Sequence, residues 1–286
     1  MMKPTFVHFA WPARRRAVLT LSAVLLGGVL HGAAAAPLPV ATTGALAQAQ
    51  QRGELVIGVQ TKPLPYQAGA KFRTPDGADA FITQQLATRL QTKLTLRAAP
   101  ALPANSLPQA NGADLILAAL PERSPLLRSA NAIPTGYSTG SMAIMRSDTT
   151  IHSWADLKGK VVCVANDGRH NGIGASYGAI EQVYRAPADA LLAMRTGECD
   201  AAIHDSSMLE ELIKLPEWKK FSARLPVIRR TRLTLLVPAS DSESVRALTR
   251  VTAEWRAKRA LAPALNQAVR NIAFEVYLDQ NVPDCH

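Results

Sequence analysis

Apolar residues along the chain occur either in short unbroken runs or at helical spacing. Glu54–Val59 and Asp114–Leu120 are mostly apolar runs, which predicts strands buried on both faces of a parallel sheet. Asp79–Leu90 carries apolar residues three and four positions apart, which predicts a helix, and Leu94–Arg97 is typical of a short strand. This order predicts strand–helix–strand units in which helices cover a parallel sheet.

The second half of the chain repeats the alternation. The predicted elements are an extended connector at 141–145, a helical turn at 153–157, strands at 161–164, 199–204 and 233–237, and helices at 175–183, 189–195 and, whole or broken, 242–269. Two such sets joined by extended connecting segments indicate an α/β protein of two hinged lobes.

The segment Asp189–Asp205 predicts a helix that feeds directly into a strand. Pro187 suits the first helical position, Arg195 the last turn and Gly197 the residue after it. Asp205 then falls at the carboxyl end of the strand, where open α/β sheets bind ligands. Two interpretations stay open: the Asp205 carboxylate anchors a cationic ligand, or it caps the helix that follows.

The N-terminus has the pattern of a secretory signal peptide. Three arginines, Arg14 to Arg16, precede the apolar run Ala17–Leu30, and small residues follow, which predicts cleavage after Ala35. We therefore expect a signal peptide at 1–35 and a frayed, partly helical leader at 36–51. Removal of the signal peptide takes away four basic and no acidic residues, so the net charge falls from +10 to +6.

Composition excludes several classes of function. With 48% hydrophobic and 19% charged residues the chain can bury a core, and its basic residues are scattered, so we expect no nucleic-acid partner. His170 and His204 lack a carboxylate partner at ligand spacing, and the three cysteines have neither zinc nor redox spacing. We expect no metal and no cofactor.

Four segments in order across the mature chain carry a family resemblance: Gly53–Gly58, the strand after Asp114, Trp154–Lys160, and Arg195–Ala201 with Asp205. The chain resembles the periplasmic solute-binding proteins of ABC importers, family 3, the polar amino-acid-binding type. The resemblance implies a type II periplasmic binding protein fold, with two doubly wound lobes joined by a two-strand hinge. Lobe 1 would comprise 52–141 plus 238–286, and lobe 2 would comprise 146–232.

The resemblance also implies a function. Such proteins close on a small polar, amino-acid-like solute and hand it to an inner-membrane ABC permease. A periplasmic monomer without catalytic activity is the first expectation. The alternatives are a sensory or accessory protein with an eroded ligand site, and a dehydratase-like enzyme that uses Asp205 or His170 as a general acid.

Family members hold the ligand ammonium with the aspartate that matches Asp205. Their first loop stacks an aromatic ring on the ligand; Pro63 occupies that position here, with Tyr66 three residues later. The arginine that binds the ligand carboxylate is replaced by Leu126, and the preceding donors are replaced by alanine and proline.

Two arginines are candidates for the missing carboxylate clasp, since a guanidinium can bond both carboxylate oxygens at once. They are Arg123, three residues before the family position, and Arg169 in a lobe 2 loop that also contains the cleft candidate His170. Each is alternatively a solvated surface residue.

The resemblance further implies a disulfide between Cys163 and Cys199, which fall on the first and third strands of lobe 2. A doubly wound order makes those strands adjacent. Cys285 in the C-terminal tail competes for either partner, and the odd count leaves at least one cysteine over.

Overall fold

The structure is a computed structural model that describes residues 43–60, 71, 73–74, 77–99, 102, 112–166, 169–237 and 241–280. The predicted signal peptide at 1–35, Tyr66 and Cys285 lie outside these residues. Within them, no helix has both the length and the apolar character that a membrane crossing requires.

The described residues form nine strands and six α-helices. The strands are β1 (Glu54–Val59), β2 (Lys93–Ala98), β3 (Leu115–Pro121), β4 (Ala132–Met145), β5 (Val161–Ala165), β6 (Ile180–Tyr184), β7 (Ala201–Asp205), β8 (Ala223–Arg224) and β9 (Ile228–Leu236). The helices are α1 (Gly44–Arg52), α2 (Gly77–Leu90), α3 (Pro187–Thr196), α4 (Ser206–Leu212), α5 (Ser242–Ala257) and α6 (Leu261–Asp279). Short 3-10 helices lie at Pro125–Arg128, Trp154–Leu157, Ala175–Tyr177 and Pro216–Phe221.

The strands form one sheet in the order β2-β1-β3-β9-β4-β7-β5-β6, with β8 paired to β4. The outer strands pair in parallel on each side, β2-β1-β3 on one and β7-β5-β6 on the other. The central pairs that involve β9 and β4 are antiparallel. Each outer trio is thus a parallel α/β unit, and the antiparallel strands join the two units.

β4 belongs to both units. It pairs with β9 from Ala132 onwards and with β7 from Ser141 onwards, and its pairing with β9 shifts register between Pro134 and Ser138. Residues of the β4 segment before Ser141 therefore lie close to the end of β7, although more than sixty positions separate them in the chain.

Separate apolar clusters cover the two units. One packs α1, α2 and α5 against β1, β3 and β9, with Leu55, Ile82 and Leu248 fully buried. Another gathers α3 and α4 against β4 and β5 around the buried Trp218. Buried α6 residues such as Ile272 and Val276 complete this second cluster.

α6 contacts helices of both units. The resemblance assigned it, within 238–286, to lobe 1, and its Leu265 does lie near α2, but most of its buried residues pack on α3 and α4. Arg73 reinforces this position because its guanidinium binds Asp189 of α3 and Asp279 of α6, each at 2.5 Å.

The predicted helix at 175–183 is wrong. A single 3-10 turn ends at Gly178, whose φ of 81° reverses the chain direction, and β6 then pairs in parallel with β5 from Ile180. The β-branched residues Ile180 and Val183 favour the extended conformation. The apolar residues of this segment belong to an edge strand and not to a helix.

Other boundaries differ by smaller amounts. The second half of the predicted leader is α1, which is part of the core rather than frayed, because Leu46 and Ala49 are buried against α5. The predicted connector at 141–145 is the end of the longer β4, and the strand predicted from Cys199 begins at Ala201. The long C-terminal helix is broken after Lys258 by Arg259 at a φ of 49°.

Cys163 and Cys199 form a disulfide in the structure, with Cα atoms 5.9 Å apart. Cys163 lies on β5, and Cys199 lies in the turn just before β7. β5 and β7 are neighbours, with Cys163 paired to Ala202, so the bond ties the start of β7 to the middle of β5.

Candidate functional site

Asp205 is the last residue of β7 and the N-cap of α4. Its Oδ1 accepts hydrogen bonds from the backbone N–H groups of Ser207, at 3.0 Å, and Met208, at 3.4 Å. The helix-cap interpretation of the sequence is therefore correct as a local description. The residue is only 4% exposed, so its carboxylate lies inside the protein.

Two β4 side chains bind the same oxygen. Tyr137 donates its hydroxyl to Oδ1 at 2.9 Å, and Thr139 donates at 2.5 Å. All four described hydrogen bonds to the Asp205 carboxylate thus converge on Oδ1, and none is made to Oδ2. One oxygen holds the carboxylate in place, and the other accepts no hydrogen bond from the described residues.

Burial raises the pKa of Tyr137 well above its usual value, and the charge and hydrogen bond of Asp205 raise it further. The positive charge of Arg169 acts in the opposite direction on the same hydroxyl. Tyr137 therefore remains a neutral donor to Asp205 through the physiological pH range.

A small cavity adjoins Asp205, between the first turn of α2 and the junction of β7 with α4. Its lining residues are Gly77, Ala78, Asp79, Tyr137, Arg169, His204, Asp205, Met208 and Leu265. The space open to the centres of water-sized molecules is about 10 Å³, which is room for roughly one water. In this conformation the described lining leaves no room for a larger solute.

Arg169 lines the same cavity as Asp205 and forms an ion pair with Asp79, which is another lining residue. Its Nη1 lies 3.7 Å from Oδ1 of Asp79, in the first turn of α2. The Arg169 side chain is 19% exposed and the Asp79 side chain 38% exposed, so the pair lies at the edge of the cavity. The basic candidate predicted from lobe 2 is thus brought next to Asp205.

His170 is buried behind the cavity and is not among the residues that line it. Its Nδ1 lies 3.0 Å from the hydroxyl of Ser141, and its ring centre lies 5.2 Å from that of His204. His204, which precedes Asp205 on β7, does line the cavity. The described residues contain no group of three His, Cys, Asp or Glu side chains placed to hold a metal ion.

Arg123 lies elsewhere. It follows β3, where the N–H of Glu122 donates to the carbonyl of Arg230 on β9, and it is exposed to solvent. Arg123 is not among the residues that line the cavity beside Asp205. Tyr66, the other lobe 1 candidate, lies outside the described residues.

Sequence reasoning missed Tyr137, Thr139 and Asp79 as parts of this site. Tyr137 and Thr139 fall in the part of β4 that was not predicted as a strand. Their alternation with Gly136, Ser138 and Gly140 was the available signal, since every second position points to the same face. Asp79 was overlooked because an acidic residue is common in the first turn of any helix.

No protein-family model matches the chain, and no curated protein matches it. Solved structures do match at the level of the fold. A mutant of ArgBP from T. maritima has 17% identity and a TM-score of 0.51, covering 79% of this chain and 99% of that one. The cysteine-binding protein from Campylobacter jejuni has 16% identity and a TM-score of 0.53, covering 80% and 94%.

A third match is the ancestral amino acid-binding protein AncCDT-1, a precursor of cyclohexadienyl dehydratase, with 16% identity, a TM-score of 0.51 and coverage of 79% and 98%. Likenesses at such identity show the fold alone. They confirm the predicted fold class: the chain has the type II periplasmic binding protein fold.

Proposed function

We propose that this chain is a periplasmic solute-binding protein that captures a small polar solute carrying an ammonium group and delivers it to an inner-membrane ABC permease. One observation carries the proposal: the carboxylate of Asp205 is buried at the carboxyl end of a central strand, beside a cavity, with one oxygen held and the other available. Solved proteins of this fold include amino-acid-binding proteins, which supports a binding role at the level of the fold.

The geometry suits capture of a cation. Tyr137, Thr139 and two backbone N–H groups fix Oδ1, so the carboxylate needs no rearrangement when a ligand arrives. Such preorganisation reduces the entropy lost on binding. An ammonium group at Oδ2 would meet a charge that is shielded from water, where the attraction is stronger than in bulk solvent.

Binding in this site requires motion. The cavity has room for roughly one water, so the first turn of α2 and the β7–α4 junction must separate before a solute can enter. β4, which pairs with strands on both sides, is the element about which such a hinge opening would occur.

The same closed cavity favours one alternative, a sensory or accessory protein whose ligand site has eroded. β3 ends in Ala118, Ala119 and Pro121, none of which has a side-chain donor. If the closed form is the only one populated, no small solute binds. A binding measurement therefore separates the two candidates.

The test uses the exported, processed protein, which we expect to begin near Ala36 and to be a periplasmic monomer. Mass spectrometry and size-exclusion chromatography check those two points. A thermal-shift screen against amines, amino acids and organic acids should find a compound that raises the melting temperature, because a ligand of the folded state stabilises it by mass action.

Calorimetry with that compound then compares the parent with Asp205→Asn, which keeps the shape and the helix cap but removes the charge. Affinity should fall by about a thousandfold, since a ligand charge would be left buried and unmatched. Asp148→Asn, an exposed carboxylate far from the cavity, is the matched control and should bind like the parent. Equal affinity of Asp205→Asn and the parent would reject the anchor role.

A further inference from the structure

We propose that the ligand of this site is a small monocation without a carboxylate group, such as a primary amine or a guanidine. The inference rests on the proposed binding function and specifies its ligand class. It differs from the amino-acid-like solute that the family resemblance implies.

The first argument concerns the positive group that a ligand carboxylate would need. Among the described residues that line the cavity, Arg169 is the only lysine or arginine. Its guanidinium already faces the carboxylate of Asp79 at 3.7 Å. A ligand carboxylate would have to compete with Asp79 for that guanidinium.

The second argument is the charge balance of the lining. Among the described lining residues, Asp79 and Asp205 contribute two negative charges and Arg169 contributes one positive charge, which leaves an excess of one negative charge when His204 is neutral. A zwitterion brings no net charge and leaves that excess in place. A monocation cancels it, which is the favourable outcome in a site that excludes water.

The third argument concerns hydrogen-bond donors at the end of β3, where the resemblance places a carboxylate clasp. The N–H of Ala119 is occupied by the side-chain carbonyl of Gln60 at 2.9 Å. Pro121 has no N–H, and the side chains of Ala118 and Ala119 donate nothing. Arg123, the basic residue that follows, is exposed and does not line the cavity.

The remaining lining suits an aliphatic chain. Ala78, Met208 and Leu265 are apolar and come from α2, α4 and α6, so they face the cavity from three directions. A cation whose remaining atoms are methylene groups can bury them there, and burial of each methylene contributes about 0.8 kcal/mol. The unbranched flexible side chain of Met208 can adapt to different chain lengths.

Matched pairs of compounds test the inference, because each pair differs only in the α-carboxylate. Calorimetry on the processed full chain should compare ethylamine with L-alanine, butylamine with L-norvaline, and pentylamine with L-norleucine. We expect at least one amine to bind more tightly than its amino acid by about tenfold or more. If every amino acid binds as tightly as its amine, or more tightly, the inference is overturned while the proposed binding function stands.

Absence of binding by all six compounds, with no other hit in the screen, overturns the proposed function and the inference with it. The two failures are therefore distinguishable. Screening hits that are purely anionic would also reject both, since Asp205 could not anchor them.

Two variants examine the role of the Arg169–Asp79 pair. Asp79→Asn removes the negative charge that faces Arg169, so the ratio of amine to amino-acid affinity should shift towards the amino acid by about tenfold. Arg169→Gln removes the positive charge, so amine affinity should be retained or rise. A loss of amine affinity in Arg169→Gln, or an unchanged ratio in a folded Asp79→Asn, contradicts the inference. Asp148→Asn serves as the control for both.

Discussion

Tyr137 and Asp205 are joined across the middle of the sheet by a hydrogen bond of 2.9 Å from the phenol hydroxyl to Oδ1. Tyr137 lies in the part of β4 that pairs with β9, and Asp205 ends β7 in the other parallel unit. A side chain of the shared strand therefore fixes the carboxylate that we propose as the ligand anchor.

Tyr137→Phe removes this donor and keeps the ring. We expect the free energy of unfolding to fall by about 1–3 kcal/mol, because a buried carboxylate loses one of its partners. Denaturant unfolding measures the change. Tyr184→Phe is the matched control: that hydroxyl binds Gln182 in an exposed position, so its removal should change stability by less than about 0.5 kcal/mol. Equal effects of the two variants would contradict the buried role.

The raised pKa of Tyr137 predicts a loss of stability in base. The folded state holds the phenol proton more tightly than the unfolded state, so the contribution is complete below the usual tyrosine pKa of 10.0 and is lost as pH rises above it. Unfolding curves between neutral and strongly basic pH measure the decline. In Tyr137→Phe the free energy of unfolding should fall less at basic pH, because the phenol that titrates is absent. An identical fall in both proteins would reject the prediction.

Glu254 of α5 predicts a loss of stability in acid. Its hydrogen bond to Arg89 of α2, at 2.7 Å, is the largest of the effects that hold its pKa at about 2, and Lys258 adds a second. The folded state therefore favours the ionised carboxylate, and the stabilisation present above the usual pKa of 4.5 is lost as pH falls towards about 2. In Glu254→Gln the free energy of unfolding should depend less on pH across that interval.

At neutral pH, Glu254→Gln should lower the free energy of unfolding by about 1–2 kcal/mol, because Arg89 is buried while Glu254 is partly screened by solvent. Lys258→Gln removes only an exposed partner of Glu254 and should change the free energy of unfolding by less than about 0.5 kcal/mol. A larger effect of Lys258→Gln than of Glu254→Gln would contradict this assignment.

The disulfide closes a loop of 36 residues between Cys163 and Cys199. Replacing both cysteines with alanine should lower the free energy of unfolding by about 3–4 kcal/mol, chiefly because the unfolded chain regains freedom. Cys285→Ser should leave stability unchanged. Peptide mapping without reduction should find the Cys163–Cys199 peptide, and a peptide that links Cys285 to either residue would reject the pairing.

The sequence predicted the buried strands well, because short unbroken apolar runs such as the one after Glu54 are typical of strands covered on both faces. It also predicted that Asp205 ends a strand, since a helix that stops at Gly197 and a short apolar run precede it. Edge strand β6 was predicted as a helix because its exposed residues carry little alternation. The Arg169–Asp79 ion pair could not be predicted from the sequence, because the two residues lie on different units and meet only through tertiary packing.

The place of β9 in the sheet has a consequence for how the protein folds. β9 is the last strand in the described part of the chain, yet it lies between β3 and β4, and its Leu235 pairs with both Leu117 and Ile133. Until residues 228–236 have joined the sheet, both older strands have an open edge and no strand joins the early unit to the later one. A partly folded chain thus presents two unpaired edges to other chains, and the addition of one late segment closes both.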